Sequence, residues 1–241
     1  MAASERASRP PRRSARRRPD QIPGGRHGLA PAEVAESQCN RILTAMTEAV
    51  GRNGFQNARV ADVIGHAGVS RKTFYEHFED KERCFVAAYR QVLDRVLSLT
   101  LDAFEAEADW IDRLRAGLTA LLDALAHDPA VARLCFVEVL AAGPRAIAVR
   151  NDAMRGFTCL FDPTGLGSHG DRAALVRLGM VGGLSEILYR DISGGATAQL
   201  HRRVPDLMYM SVLPFAGPDA AAREIERAPA RGVAARAWPP L

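Results

Sequence analysis

The residues able to do chemistry crowd into one stretch, Ala67–Lys81, which reads Ala-Gly-Val-Ser-Arg-Lys-Thr-Phe-Tyr-Glu-His-Phe-Glu-Asp-Lys. It holds both lysines of the chain, Lys72 and Lys81; every other Lys/Arg position is arginine. With Phe74 facing a core and a step of ~100° per residue, Lys72 and Glu76 fall on the opposite side. Thr73 and Tyr75 flank that outer face, Arg71 stands at the helix mouth and His77 on its shoulder. Arginine and lysine donate to guanine O6 and N7, glutamate accepts from cytosine N4, and threonine, tyrosine and histidine reach phosphate oxygens. A helix with this outer face has the width and the hydrogen-bonding groups for a DNA major groove. Lys81 adds a charge at the start of the next helix, facing the phosphate backbone, and Arg59 is placed to grip the flanking phosphate.

These groups need a frame, and the surrounding residues supply one. Asn57 is the expected cap of a helix carrying Val60, Val63, Ile64 and Ala67 as one apolar stripe. Gly68 allows a tight turn. Ser70 is the expected cap of the short helix and also a candidate DNA-binding residue, with Val69 and Phe74 at the two positions of a hydrophobic staple. Phe74 and Phe78 point to the core, and Asp80 opens a helix running to about Phe104. Turn, cap and outward donors together make a helix-turn-helix.

Residues 41–89 resemble the DNA-binding domain of the TetR (tetracycline repressor) family of bacterial transcriptional regulators. The matching pieces are Arg41-Ile42-Leu43, Gly54-Phe55, Val60-Ala61-Asp62-Val63-Ile64, Ala67-Gly68-Val69-Ser70, Thr73-Phe74-Tyr75-Glu76-His77-Phe78 and Asp80-Lys81-Glu82. The resemblance implies a homodimer on a near-palindromic double-stranded DNA operator and a C-terminal helical domain that binds a small-molecule effector. It assigns phosphate contacts to Tyr75, His77 and Lys81, and sequence reading to Arg71, Lys72 and Thr73. Two positions depart from the family pattern. Ala58-Arg59 replaces a frequent Thr-Thr, and Ile64 replaces a frequent alanine where the two motif helices meet.

The fold class expected is all-α: a three-helix helix-turn-helix domain over 31–90, joined to a larger helical effector-binding and dimerisation domain over 91–216. Residues 1–30 read as a disordered Arg-rich tail and 217–241 as a loose C-terminal tail. Beyond residue 90, helices are expected near 109–126, 129–142, 144–162, 171–191 and 196–213, with Pro205 kinking the last. The 171–191 segment is apolar almost all round and so must bury two faces. One is its own core; the other, with 196–213, is a homodimer interface. Trp110, Phe136, Met154, Phe157, Phe161, Met180 and Tyr189 are candidate ligand-lining residues. Glu138 and Arg150 are polar groups in apolar helices, suited to orienting a ligand or to surface pairing.

Several classes are excluded. The histidines are scattered, and no nucleophile–base set, Gly-rich phosphate loop or metal-ligand spacing appears, so neither catalysis nor a cofactor is signalled. Cys39, Cys84, Cys135 and Cys159 are far apart, which suits free thiols in a cytoplasmic protein. The longest uncharged stretch, Leu207–Pro218, is too short to span a bilayer. The expected function is a DNA-binding regulator, a ligand-responsive dimeric repressor. The alternative is an architectural, non-specific nucleic-acid binder driven by the tail.

Net charge is +4, but its placement matters more. Residues 1–30 carry eight arginines against Glu5 and Asp20, whereas residues 31–90 balance. Arg12, Arg13, Arg16, Arg17 and Arg18 are therefore expected to supply sequence-independent grip, each neutralised phosphate adding ~0.9 to the salt slope. Deleting residues 1–30 should flatten the dependence of log K on log salt, measured by fluorescence anisotropy. An unchanged slope would remove the tail from the interface.

Overall fold

The computed structural model describes residues 30–163 and 170–227, so the Arg-rich tail lies outside the described residues. Among the described residues there are ten α-helices and no strand. Helix α1 (Pro31–Asn57) starts on a proline in its first turn, where the missing N–H costs nothing. It breaks at Gly54, whose φ of 75° and ψ of 158° suit only glycine. Helix α2 (Val60–Ala67) follows. Its cap differs from expectation: Asn57 remains in the last turn of α1, its side-chain amide donating to the Asn53 carbonyl at 3.1 Å. Arg59 takes the cap position, its N–H donating to the Asp62 carboxylate at 3.0 Å.

Gly68 ends α2 in the left-handed region (φ 63°, ψ 36°) and turns the chain into α3 (Arg71–His77). Ser70 caps α3, accepting from the Thr73 N–H at 3.0 Å. Helix α4 (Lys81–Glu105) starts on Asp80, which accepts from the Arg83 N–H at 2.6 Å. Because α4 is continuous, the expected boundary at residue 90 falls inside it. Its first half packs on α1, with Phe85 edge-on to Phe55 at 5.0 Å. Its second half packs on α5 (Trp110–His127), where a Cβ on Gly117 would sit 3.3 Å from the Thr100 carbonyl.

Helix α6 (Pro129–Phe136) is shorter than expected because the chain tightens into a 3-10 turn over Glu138–Ala141. Helix α7 (Pro144–Phe157) ends the same way over Thr158–Phe161. Helix α8 (Gly170–Ser193) is the long apolar one. The segment expected as one helix over 196–213 opens as a 3-10 turn, Thr197–Arg203, and becomes α9 (Val204–Ala216). Pro205 sits in the first turn of α9, where it starts the helix rather than kinking it.

Of the expected C-terminal tail, the described residues 217–227 are not loose, and the rest lies outside the described residues. Helix α10 (Pro218–Glu226) folds back on α9 and buries Ala220, Ala221 and Glu224. Glu224 forms a buried ion pair with Arg115 of α5, and Arg227 bonds Asp112 at 2.6 Å. The sequence hid this helix because its buried apolar residues are small alanines.

The two domains touch where α1 crosses α6. A Cβ on Gly51 would lie 2.5 Å from the Ala130 Cβ, so only glycine permits this approach. Removing one partner of a buried ion pair leaves the other charge stranded. Glu224→Ala should therefore lower stability by about 3 kcal/mol, read as a drop in the urea midpoint.

Candidate nucleic-acid interface and ligand cavity

Phe74 is fully buried and anchors α3, with Phe78 tilted against it at 5.9 Å between ring centroids. Val69 packs on the same core, completing the staple. Arg71, Lys72, Tyr75 and Glu76 consequently stand exposed on the other side, and Thr73 and His77 are half-buried. Arg71 lies over the Tyr75 ring at 6.0 Å. Lys72 pairs with Glu76 at 3.6 Å, with its side chain 87% exposed. So open a pair is worth at most ~1 kcal/mol, and Lys72 is readily exchanged to a stronger acceptor. Ser70 and Thr73 are engaged with each other, their hydroxyl oxygens 2.9 Å apart. The structure thus uses Ser70 to hold the helix mouth. Arg59 is exposed beside this face, at the start of α2. Ile64 is half-buried on the core side of α2.

Lys81 has contacts within the chain that the sequence did not show. Its ammonium donates to the Phe55 carbonyl at 2.8 Å, Ala58 at 3.1 Å and Gln56 at 3.4 Å. It also lies 4.3 Å over the Phe55 ring. Partial burial pulls its pKa down. These carbonyls close the C-terminal end of α1, where a cation satisfies groups that the helix leaves open. Lys81 therefore fixes the α1–α2 corner, on which the orientation of the reading helix rests. Arg41 does the same at the end of α2, donating to the Ala67 carbonyl at 2.8 Å. Sequence spacing gives no sign of either role, because both bonds join residues 26 positions apart.

Glu138 is neither a ligand group nor a surface pair. It is buried at the domain junction, where its carboxylate accepts from the Phe55 N–H at 2.8 Å and from Arg133 at 2.5 Å. Gln56 adds a bond to the Ala141 carbonyl at 2.9 Å. The break at Gly54 frees the Phe55 N–H for this contact, and a Cβ on Gly54 would lie 3.2 Å from the Glu138 carboxylate.

A cavity of about 90 Å³ lies in the larger domain between α4, α5, α6, α7 and α8. Phe136, Met154, Phe157 and Phe161 line it. Trp110 does not: its indole N–H donates to the Leu160 carbonyl at 3.1 Å and its ring meets Phe215. Met180 and Tyr189 are half-buried on α8 but off the cavity wall, which α8 instead builds from Val181, Leu184, Ser185 and Leu188. The sequence reading missed the contribution of α4 through Tyr89, Leu93 and Val96, which the alternation of core positions along a long helix does not distinguish from plain packing. Among the described residues Arg150 is the one charged group on the wall, donating to the Ser185 hydroxyl at 3.0 Å. Burial raises the Tyr89 phenol pKa, and the nearby Arg150 charge opposes that rise. Among the described residues no cluster of His, Cys, Asp or Glu is placed to hold a metal. All four cysteines are free thiols, and burial pushes Cys135 up to about 12.

The two lysines should separate in experiment. Lys72→Ala should weaken DNA binding and lower the salt slope by ~1 while leaving stability nearly unchanged. Lys81→Ala should cost about 2 kcal/mol of stability through its lost carbonyl contacts, read by thermal and urea unfolding.

Residues 42–88 match the family model for bacterial regulatory proteins of the tetR family. The HTH-type transcriptional activator FasR of Mycolicibacterium smegmatis is 27% identical over 173 residues, spanning 70% of this chain and 78% of FasR. The HTH-type transcriptional regulator RutR of Escherichia coli K12 is 29% identical over 103 residues, spanning 43% of this chain and 48% of RutR. In fold, the chain is similar to the transcriptional regulator FadR of Bacillus subtilis, solved in complex with stearoyl-CoA. The TM-score is 0.62 at 18% identity, covering 71% of this chain and 96% of FadR. The helix-turn-helix whose outer face is built from Arg71, Lys72, Tyr75 and Glu76 thus falls within the stretch that matches the tetR-family model, and the chain is similar to HTH-type transcriptional regulators of that kind.

Proposed function

We propose that this protein is a ligand-responsive dimeric repressor. It binds a near-palindromic operator through α3 and is released when a long apolar effector fills the cavity. One observation carries the reading. The cavity wall and the DNA-binding unit share the same elements: α4 runs through both, and the wall residues Cys135 and Phe136 lie just ahead of Glu138, which holds the Phe55 N–H. An effector that binds one arrangement of α6 more tightly than another shifts the whole molecule toward that arrangement. The apolar lining suits an acyl chain, in keeping with the stearoyl-CoA of the FadR complex.

The dimer reading, through 171–191 and 196–213, is supported by apolar side chains left in solvent. On α8, Leu175 is 69% exposed, with Val176 and Leu178 also exposed; α9 adds Leu213. A Cβ at Gly179 or Gly182 would meet nothing within 4 Å, so a second copy of α8 has room to approach there. Two copies place two reading helices for half-sites ~34–36 Å apart. Leu175→Arg combined with Leu178→Glu should give a monomer by light scattering that no longer shifts operator DNA.

FasR is named an activator, which favours a second reading in which operator position makes the same release switch positive. The test is transcription in vitro from the gene's own upstream region, with and without long-chain acyl ligands. Repression relieved by ligand supports the first reading. Activation supports the second. DNA binding indifferent to every acyl ligand would overturn the effector assignment. Glu138→Gln should keep operator affinity within about threefold yet lose most of the ligand response, because the Phe55 contact weakens without opening the cavity.

A further inference from the structure

The cavity wall has one chemical anomaly. Arg150 on α7 is a permanently charged guanidinium set among aliphatic and aromatic side chains, and among the described residues no aspartate or glutamate lines the cavity. Among the described residues its one hydrogen bond goes to a neutral hydroxyl, that of Ser185 across on α8. A guanidinium drawn partly out of water without an anion is costly, and a carboxylate offsets that cost with two parallel bonds. The hydroxyl of Ser185 stands beside it as a further donor. Ala153, Met154 and Phe157 follow Arg150 at i+3, i+4 and i+7, so they share its face of α7. From Arg150 to Phe157 that face runs about 10 Å along the helix axis, and its cavity-lining residues beyond Arg150 are apolar.

We propose that Arg150, with Ser185, is the head-group site for a free carboxylate, so that the effector is an unesterified apolar acid whose chain lies along the Ala153–Phe157 face. The proposal rests on the apolar-effector reading above and narrows it. A thioester offers Arg150 only a neutral carbonyl, whereas an acid supplies the missing charge.

Dodecanoate, 1-dodecanol and dodecanoyl-CoA, titrated calorimetrically into the full-length protein, test it alongside Arg150→Met and Arg150→Lys. The native protein should bind dodecanoate at least tenfold more tightly than 1-dodecanol. Arg150→Met should abolish that preference, and Arg150→Lys should keep much of it. All three proteins should bind 1-dodecanol equally, which shows the cavity intact. Equal affinity of the native protein for acid and alcohol would overturn the proposal, as would an acid preference that survives Arg150→Met. Tighter binding of dodecanoyl-CoA than of dodecanoate, unaffected by Arg150→Met, would also overturn it while leaving the apolar-effector reading standing. If no dodecyl compound binds the native protein, that broader reading falls and takes this one with it.

Discussion

A single backbone N–H organises this molecule. Helix α1 cannot continue through Gly54, so Phe55 presents its amide sideways instead of along a helix axis. An amide left bare in a buried place costs roughly 1–3 kcal/mol, and Glu138 from the other domain takes it. The same carboxylate is held by Arg133, one helix turn from the cavity wall. On the opposite side of the corner, Lys81 gathers the carbonyls of Phe55, Gln56 and Ala58. Donor and acceptors of one short peptide stretch are thus satisfied by residues from distant parts of the chain. Both contacts hold the corner at which α1 gives way to α2.

This arrangement explains why the interface is rigid where it must be and adjustable elsewhere. Gly51 lets α1 and α6 touch backbone to backbone, which leaves little slack for independent movement of the two domains. The outward residues of α3, in contrast, are tied only by exposed pairs such as Lys72–Glu76. The reading surface is chemically loose on a mechanically firm mount, a combination suited to recognising DNA by placement when the unit carries almost no net charge.

The sequence displayed local chemistry well and distant chemistry poorly. The Ser70 cap, the Val69–Phe74 staple and the Gly68 turn involve neighbours, and each is legible in the chain. So were nearly all helices, since their apolar periods are long. What the sequence concealed joins remote positions: Lys81 to the end of α1, Glu138 to Phe55, Arg115 to Glu224. Each is a charged residue that reads as a surface group until the fold supplies its partner. The effector cavity was half visible for a related reason. Phe136, Met154, Phe157 and Phe161 lie on its wall, but Trp110, Met180 and Tyr189 are large apolar side chains of the same kind that serve packing. Composition does not separate the two uses.

The engagement of Lys81 has a practical corollary. With one of the chain's two lysine side chains occupied by carbonyls and an aromatic ring, Lys72 is left as the readily accessible side-chain amine, and it stands on the outer face of α3. Among side chains, amine-directed chemistry is therefore aimed at the groove-facing surface. Acylation there removes a charge that faces the groove, so the modified fraction is read as lost DNA binding.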